Sequence, residues 1–303
     1  MDIPNYLCDL HCHTNLSDGY DSPKELIDRA AELKMKVIAI TDHDVIPPDI
    51  VRVGDNEVDI IEYACSLGLK VIKGSEISCD TDVEDVHILA YGCSWNNPKI
   101  LRLAESIVKS KIEAYQKLVN ILWSSGMNLS WEEILFNNGD TILPENIQKK
   151  IIYQFIADKG YAKTWREAKI LIQTNDQYNV SREKPDPRDM IQLIHELNGV
   201  AVLAHPFLIT PKNESLEDYI EMLISAGLDG IEACYTYNKT SYKGSKSELE
   251  LENEINKRYG NRKLFISGGS DYHGDWRKGV LNPREIGEAG ISVERFNNSI
   301  LNI

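Results

Sequence analysis

The sequence predicts an α/β chain folded as a distorted TIM-like barrel with a helical insertion, and three observations carry that expectation. Short apolar strands alternate with amphipathic helical stretches, the pattern of a parallel sheet covered by helices. Each strand runs into polar, ligand-type residues at its C-terminal end, which a closed barrel with its site at one mouth explains more simply than an open sheet. From about Asn96 to Arg182 the alternation stops and only helical patterns remain.

The elements follow in order. Asp9-Leu10-His11-Cys12-His13 reads as a strand whose alternation places both imidazoles on one face and Cys12 on the other. Ser22-Pro23-Lys24-Glu25 is a capping box with proline at the first helical position, followed by the apolar face of Leu26, Ile27, Ala30 and Leu33. Val37–Ile40 is an apolar strand ending in Thr41-Asp42-His43-Asp44, and Leu69–Ile72 runs into Gly74-Ser75-Glu76. Asp186-Pro187 and Ser215 open two further helices. Val200–Ala204 ends in His205-Pro206, and Leu264–Ile266 leads to Ser270-Asp271-Tyr272-His273.

In the insertion, Lys99–Ser124 is one long helical pattern, and Ser130 and Thr164 each open a capping box. The expected division is therefore a barrel of residues 1–95 and 183–303, with residues 96–182 capping its mouth. The segment Lys239–Ser247 is the most loop-like.

Composition narrows the function. With 33 Lys and Arg against 47 Asp and Glu, the formal charge of −14 repels polyphosphate, so no long nucleic acid is expected as a partner. No apolar run approaches a membrane span and no leader pattern opens the chain, so a cytoplasmic protein with no membrane partner is expected. The six cysteines form no CxxC pair and read as reduced thiols.

Six of the seven histidines stand at strand ends or in i, i+2 strand pairs, joined by Asp18, Glu76 and Asp271. Such a His, Asp and Glu cluster without thiolates suits Zn, Mn or Fe in mixed nitrogen and oxygen coordination. His195, inside a helical pattern, reads as structural. Asp9, Asp42 and Asp44 stand close enough in sequence to accept from imidazole N–H groups.

The strings Asp9-Leu10-His11-Cys12-His13-Thr14, Asp18-Gly19 and Thr41-Asp42-His43-Asp44 resemble the polymerase and histidinol phosphatase (PHP) superfamily. Gly74–Ser78, His87–Gly92, Ala204-His205-Pro206 and Gly268–Gly274 resemble its later motifs in the same order. The resemblance implies a distorted (β/α)7 barrel holding two or three divalent ions, Mn, Fe or Zn. It further implies that His11, His13, Glu76 and Asp271 hold one ion, Glu76, His87 and His205 a second, and Asp18, His43 and His273 a third. Among relatives, the chain looks most like stand-alone small-molecule phosphoesterases.

The chemistry expected is hydrolysis of a small phosphate ester, such as a nucleotide, a nucleoside 3′,5′-bisphosphate or a short oligonucleotide end, through attack by a metal-bridging hydroxide. Protonation of the leaving group is open between metal-bound water and Asp44. The alternatives are an amidohydrolase-like C–N hydrolase and an oligonucleotide exonuclease.

One departure stands out. Where relatives often carry an Arg-Pro-His-like string, this chain has Leu143-Pro144-Glu145. Arg182 and Lys184 fall where the chain returns to the barrel, and are candidates for phosphate contacts as well as for ordinary solvated loop charges. Trp131, Tyr153 and Trp165 suit packing within the insertion better than stacking on a base.

Overall fold

The computed structural model describes residues 4–137, 140–178 and 180–302. Met1–Ile3, part of the segment read above for a leader, lie outside them. The elements run β1 (Cys8–Cys12), α1 (Pro23–Glu32), β2 (Val37–Ile40), β3 (Ile50–Val53), β4 (Asn56–Asp59), α2 (Ile60–Ser66), β5 (Lys70–Ser78) and β6 (His87–Tyr91). They continue with α3 (Pro98–Ser124), α4 (Trp131–Leu135), β7 (Phe136–Asn137), β8 (Asp140–Thr141), α5 (Lys149–Asp158), α6 (Trp165–Gln173) and α7 (Pro187–Glu196). Last come β9 (Val200–Leu203), α8 (Leu216–Ser225), β10 (Gly230–Tyr235), α9 (Glu248–Tyr259), β11 (Phe265–Gly269) and α10 (Val293–Asn297).

Seven strands form one sheet in the order β1-β2-β5-β6-β9-β10-β11. Its two edges meet: Cys12 bridges Tyr272 in parallel, and the His13 amide donates to the Tyr272 carbonyl at 2.8 Å. The sheet is a nearly closed barrel, as expected. The all-parallel expectation needs one correction, because β6 pairs antiparallel with both β5 and β9. The cause is the connection. Residues 79–86 join β5 to β6 without a helix, too short a path for the crossover that a parallel neighbour requires. Its consequence is functional, since reversal brings the first residue of β6, His87, to the same mouth as the last residues of the parallel strands.

The core has two layers set by strand alternation. Val37, Ala39, Ile72, Leu89, Tyr91, Val202 and Ala204 fill the barrel, where Phe296 and Leu301 join them. Ile38, Ile40 and Val71 pack outward against Leu26, Ile27 and Ala30 of α1 and Ile60 of α2. The register of β1 slips between Asp9 and Cys12. Cys8 and Leu10 therefore join the inner cluster while Cys12 joins the outer one, and the slip rephases the strand so that His11 and His13 face inward.

By internal contacts the chain divides into two units, one running up to Leu101 and resuming at Pro185, the other Arg102–Lys184. The second has its own core of Leu118, Leu122, Ile134, Ile152, Tyr153, Ile156 and Ile172, with Trp131 and Trp165 packed against it. Among the described residues, no helix is long and apolar enough to cross a membrane.

Candidate metal centre

Glu76 organises the mouth. It lies on β5 next to the point where His43 bridges to it, is fully buried, and divides its two oxygens between two sets of imidazoles. Oε1 lies 2.7 Å from His87 Nδ1 and 2.9 Å from His205 Nε2. Oε2 lies 3.2 Å from His11 Nε2, and 3.1 Å from both His13 Nε2 and His43 Nδ1.

Asp271, which follows β11, completes the group on the other side. Its Oδ1 lies 3.1 Å from His13 Nε2 and 3.5 Å from His11 Nε2, while Oδ2 accepts from the Tyr235 hydroxyl at 2.8 Å and from Arg284 at 2.6 Å. At the rim, the half-exposed Asp18 reaches His273 Nε2 at 3.0 Å and stands 3.7 Å from His13 Nδ1. All nine residues singled out in the sequence are thus brought together, although they come from separate segments between β1 and the turn after β11.

Among the described residues, three overlapping sets have donor atoms close enough to share an ion: His11, His13, Glu76 and Asp271; His43, Glu76 and His87; and His13, Asp18, His43 and His273. Their chemistry fits divalent ions. Glu76 Oε2 and His43 Nδ1 are buried, face each other, and make no hydrogen bond of acceptable geometry. His11 Nε2 and His13 Nε2 stand 3.1 Å apart, both turned to the same two carboxylates. Nitrogen and oxygen lone pairs gathered in this way, with Cys12 turned into the outer core, suit Zn, Mn or Fe better than a soft ion.

The electrostatics match. Burial works against a charge on Glu76, yet the surrounding imidazoles hold its carboxyl well below the usual range. Burial likewise opposes a proton on His13, but the adjoining Asp271 and Glu76 carboxylates push it up to about 10. His11 is raised in the same way against burial, by Glu76, Glu232 and Asp271. Burial dominates at His87 and His273, whose values fall.

Asp9 and Asp42 accept from backbone and hydroxyl groups rather than from the imidazoles expected. Asp9 takes the Ser270 amide and hydroxyl at 2.9 and 2.5 Å and the Gly287 amide at 2.8 Å, pinning the turn that presents Asp271. Asp42 takes the Thr14 amide and hydroxyl, both at 2.7 Å, and the Ser17 hydroxyl at 2.6 Å, shaping the loop that presents Asp18. Asp44, with φ of 57°, accepts from the Ser78 amide and hydroxyl at 2.9 and 3.1 Å. Glu232 meets the remaining nitrogen of an imidazole, 3.1 Å from His11 Nδ1. Its sequence signal was a lone acid inside the apolar run Gly230-Ile231-Glu232-Ala233-Cys234-Tyr235.

Arg182 and Lys184 lie half-buried in the helical unit. Leu143-Pro144-Glu145 enters a 3₁₀ turn over Pro144–Asn146, where the Glu145 carbonyl accepts from Lys111 at 2.8 Å. His195 pairs with Asp229 at 2.8 Å, outside the cluster.

A barrel whose mouth gathers imidazoles and carboxylates around a shared glutamate belongs to the class of metal-assisted hydrolase folds. A family model for the PHP domain matches residues 9–230, and the chain belongs to that family. It is 27% identical to a 3′,5′-nucleoside bisphosphate phosphatase of Chromobacterium violaceum over 88% of this chain and 86% of that one. It is also 27% identical to the 5′-3′ exoribonuclease Rnm of Salmonella typhimurium, over 88% of this chain and 84% of that one. In fold it resembles a solved structure from Bifidobacterium adolescentis, a candidate metal-dependent phosphoesterase, with a TM-score of 0.70, 23% identity and coverage of 98% and 96% of the two chains.

Proposed function

We propose that this protein is a metal-dependent phosphoesterase acting on a small phosphate ester: a nucleotide, a nucleoside 3′,5′-bisphosphate or the end of a short oligonucleotide. The observation that carries the proposal is Glu76, whose two oxygens serve separate imidazole sets within 2.7–3.2 Å. A carboxylate so placed suits two ions held side by side, the arrangement that in-line displacement at phosphorus uses.

His11, His13, Glu76 and Asp271 would hold one divalent ion, Glu76, His87 and His205 a second, and Asp18, His43 and His273 a third, as Mn, Fe or Zn. Bound there, the ions supply Lewis-acid stabilisation of phosphoryl charge and an acidified water. The chain's own residues supply the rest. Arg284 and Tyr235 fix Asp271 from behind, so that Oδ1 alone faces the centre. Asp42 holds the Ser17 hydroxyl and the Thr14 turn, which sets Asp18 at the rim where substrate arrives. Asp44 spends both oxygens on Ser78 and is assigned to holding the His43 turn rather than to protonating the leaving group.

The test is phosphate release from nucleotides, 3′,5′-bisphosphates, sugar phosphates and 5′-phosphorylated oligonucleotides, with Mn²⁺ and with chelator. Metal-dependent release from one of these classes is expected. Turnover of amides with none of phosphate esters would overturn the proposal in favour of C–N hydrolysis. Mononucleotides released stepwise from oligonucleotides, with no action on bisphosphates, would select the exonuclease reading, which the Salmonella relative favours.

A further inference from the structure

Glu232 takes no part in the scheme above, yet it is fully buried in β10 between two of the candidate donors. Its Oε1 lies 3.1 Å from His11 Nδ1, and its Oε2 accepts the backbone amide of His205 at 2.8 Å. The second contact bears on an unusual backbone. His205 sits at φ 28°, ψ 58°, a left-handed conformation that side chains other than glycine rarely adopt, and it precedes a proline that restricts it further.

From these contacts we infer that Glu232 is a positioning residue that sets two metal-donor imidazoles at once. It fixes a proton of His11 on Nδ1, so that Nε2 is the nitrogen left to an ion beside Glu76 and Asp271. It also holds the strained His205 turn from which Nε2 meets Glu76. The inference rests on the proposed role of His11 and His205 as metal donors.

The physical reason is one of acceptor count. A carboxylate oxygen accepts, so the ring nitrogen facing Glu232 Oε1 must carry the hydrogen, and the opposite nitrogen is left to a metal. Two donors, the ring N–H of His11 and the main-chain N–H of His205, need two acceptor oxygens. A glutamine would supply one oxygen and set its NH₂ group against the other donor, either turning the His11 ring to the wrong tautomer or releasing the His205 turn. Asp9, equally buried, cannot do this work, because its oxygens are taken by Ser270 and Gly287.

The experiment compares wild type with Glu232→Gln in zinc-loaded, histidine-¹⁵N-labelled full-length protein, together with zinc titration calorimetry and circular dichroism of the metal-free forms. In wild type, the His11 ring proton is expected on Nδ1 and slow to exchange. In the variant, zinc affinity is expected to fall about 10- to 100-fold while the metal-free spectrum stays that of the wild type. Unchanged zinc affinity in a folded Glu232→Gln variant would overturn the positioning role alone. If that variant does not fold, the wild-type spectrum decides, since a His11 proton on Nε2 would overturn it as well. Wild type that binds no zinc, manganese or iron would overturn the metal centre itself, and with it this role, a result separable from the others because it appears before any substitution.

Discussion

His13 Nε2 lies 3.1 Å from Asp271 Oδ1, a contact that joins the first strand of the sheet to the turn after the last. The same seam carries the bridge of Cys12 to Tyr272 and the hydrogen bond from the His13 amide. Barrel closure and assembly of the candidate centre are therefore one event. An ion that binds His13 and Asp271 together binds only the closed form, and a ligand with that preference stabilises the fold by mass action.

Glu76→Gln tests this coupling. Wild type is expected to melt higher as Mn²⁺ or Zn²⁺ is added, with about 4 kcal/mol of stabilisation at a thousandfold excess over the dissociation constant. The variant keeps the shape of the side chain but loses the charge shared by five imidazoles, so it should show almost no metal-dependent rise. Its metal-dependent phosphate release should fall by more than the roughly 10- to 100-fold typical of residues that only support a ligand. Thermal melts against metal concentration, read beside turnover, check both; a variant that still gains stability and turns over normally would place the centre elsewhere.

The metal-free protein should be most stable near pH 6.5. His13, raised to about 10, and His11 and His205, also raised, gain protons on folding, so their contribution is complete below the ordinary histidine value and is lost as pH rises through the folded values. His87 and His273 are lowered by burial, so the unfolded chain takes up protons first and stability falls below pH 6.5. Glu76 and Asp271, held low by their cationic neighbours against burial, add a further loss in stronger acid. Metal displaces the His11 and His13 protons, so its affinity should rise with pH and its binding should release protons. Calorimetry in buffers of different ionisation enthalpy measures that release, and melts across pH locate the maximum.

Arg284 is nearly buried and spans two carboxylates, donating to Asp271 Oδ2 at 2.6 Å and to Asp275 Oδ2 at 2.8 Å. Removing it as Arg284→Met leaves two buried anions without their partner and should cost about 3–5 kcal/mol in the metal-free protein. Arg284→Lys cannot grip both acids with one ammonium and should fall between. Metal restores positive charge beside Asp271, so the loss should shrink when zinc is bound. Denaturant titrations of the three proteins, with and without zinc, test that ordering.

The sequence revealed most about those parts of the centre that local patterns determine. Strand alternation was enough to place His11 and His13 on one face, and the polar residues after Ile40 and Ala204 marked strand ends at a mouth. The reversal of β6 was not legible, because a short apolar run looks the same in either direction; only the short 79–86 connection points to it. Glu232 and Arg284 were missed for a related reason. A buried acid or cation is recognised by its partners, and no local pattern pairs Glu232 with His11 and His205, or Arg284 with Asp271 and Asp275. The β3–β4 hairpin escaped because Gly54, with φ of 60°, turns a stretch whose charged residues, Arg52 and Glu57, mask the strand pattern.

Gly269 places the sharpest steric demand on the seam. A Cβ added there would fall 2.3 Å from His11 Cβ and 2.5 Å from the His11 backbone nitrogen, separations no side chain tolerates. The neighbouring strand cannot yield cheaply, because Cys8 and Leu10 are fully buried on the inner side and Cys12 on the outer. Gly269→Ala should therefore push β11 away from β1, lowering stability by about 1–3 kcal/mol or more and separating Asp271 from His11 and His13. Gly54→Ala is the control: no atom lies within 4 Å of its Cβ, so its cost is confined to the backbone strain of φ 60°. The Gly269 variant should lose metal affinity as well as stability, whereas the Gly54 variant should lose stability alone; equal metal affinity in the two would show that strand β11 does not set the spacing of the centre.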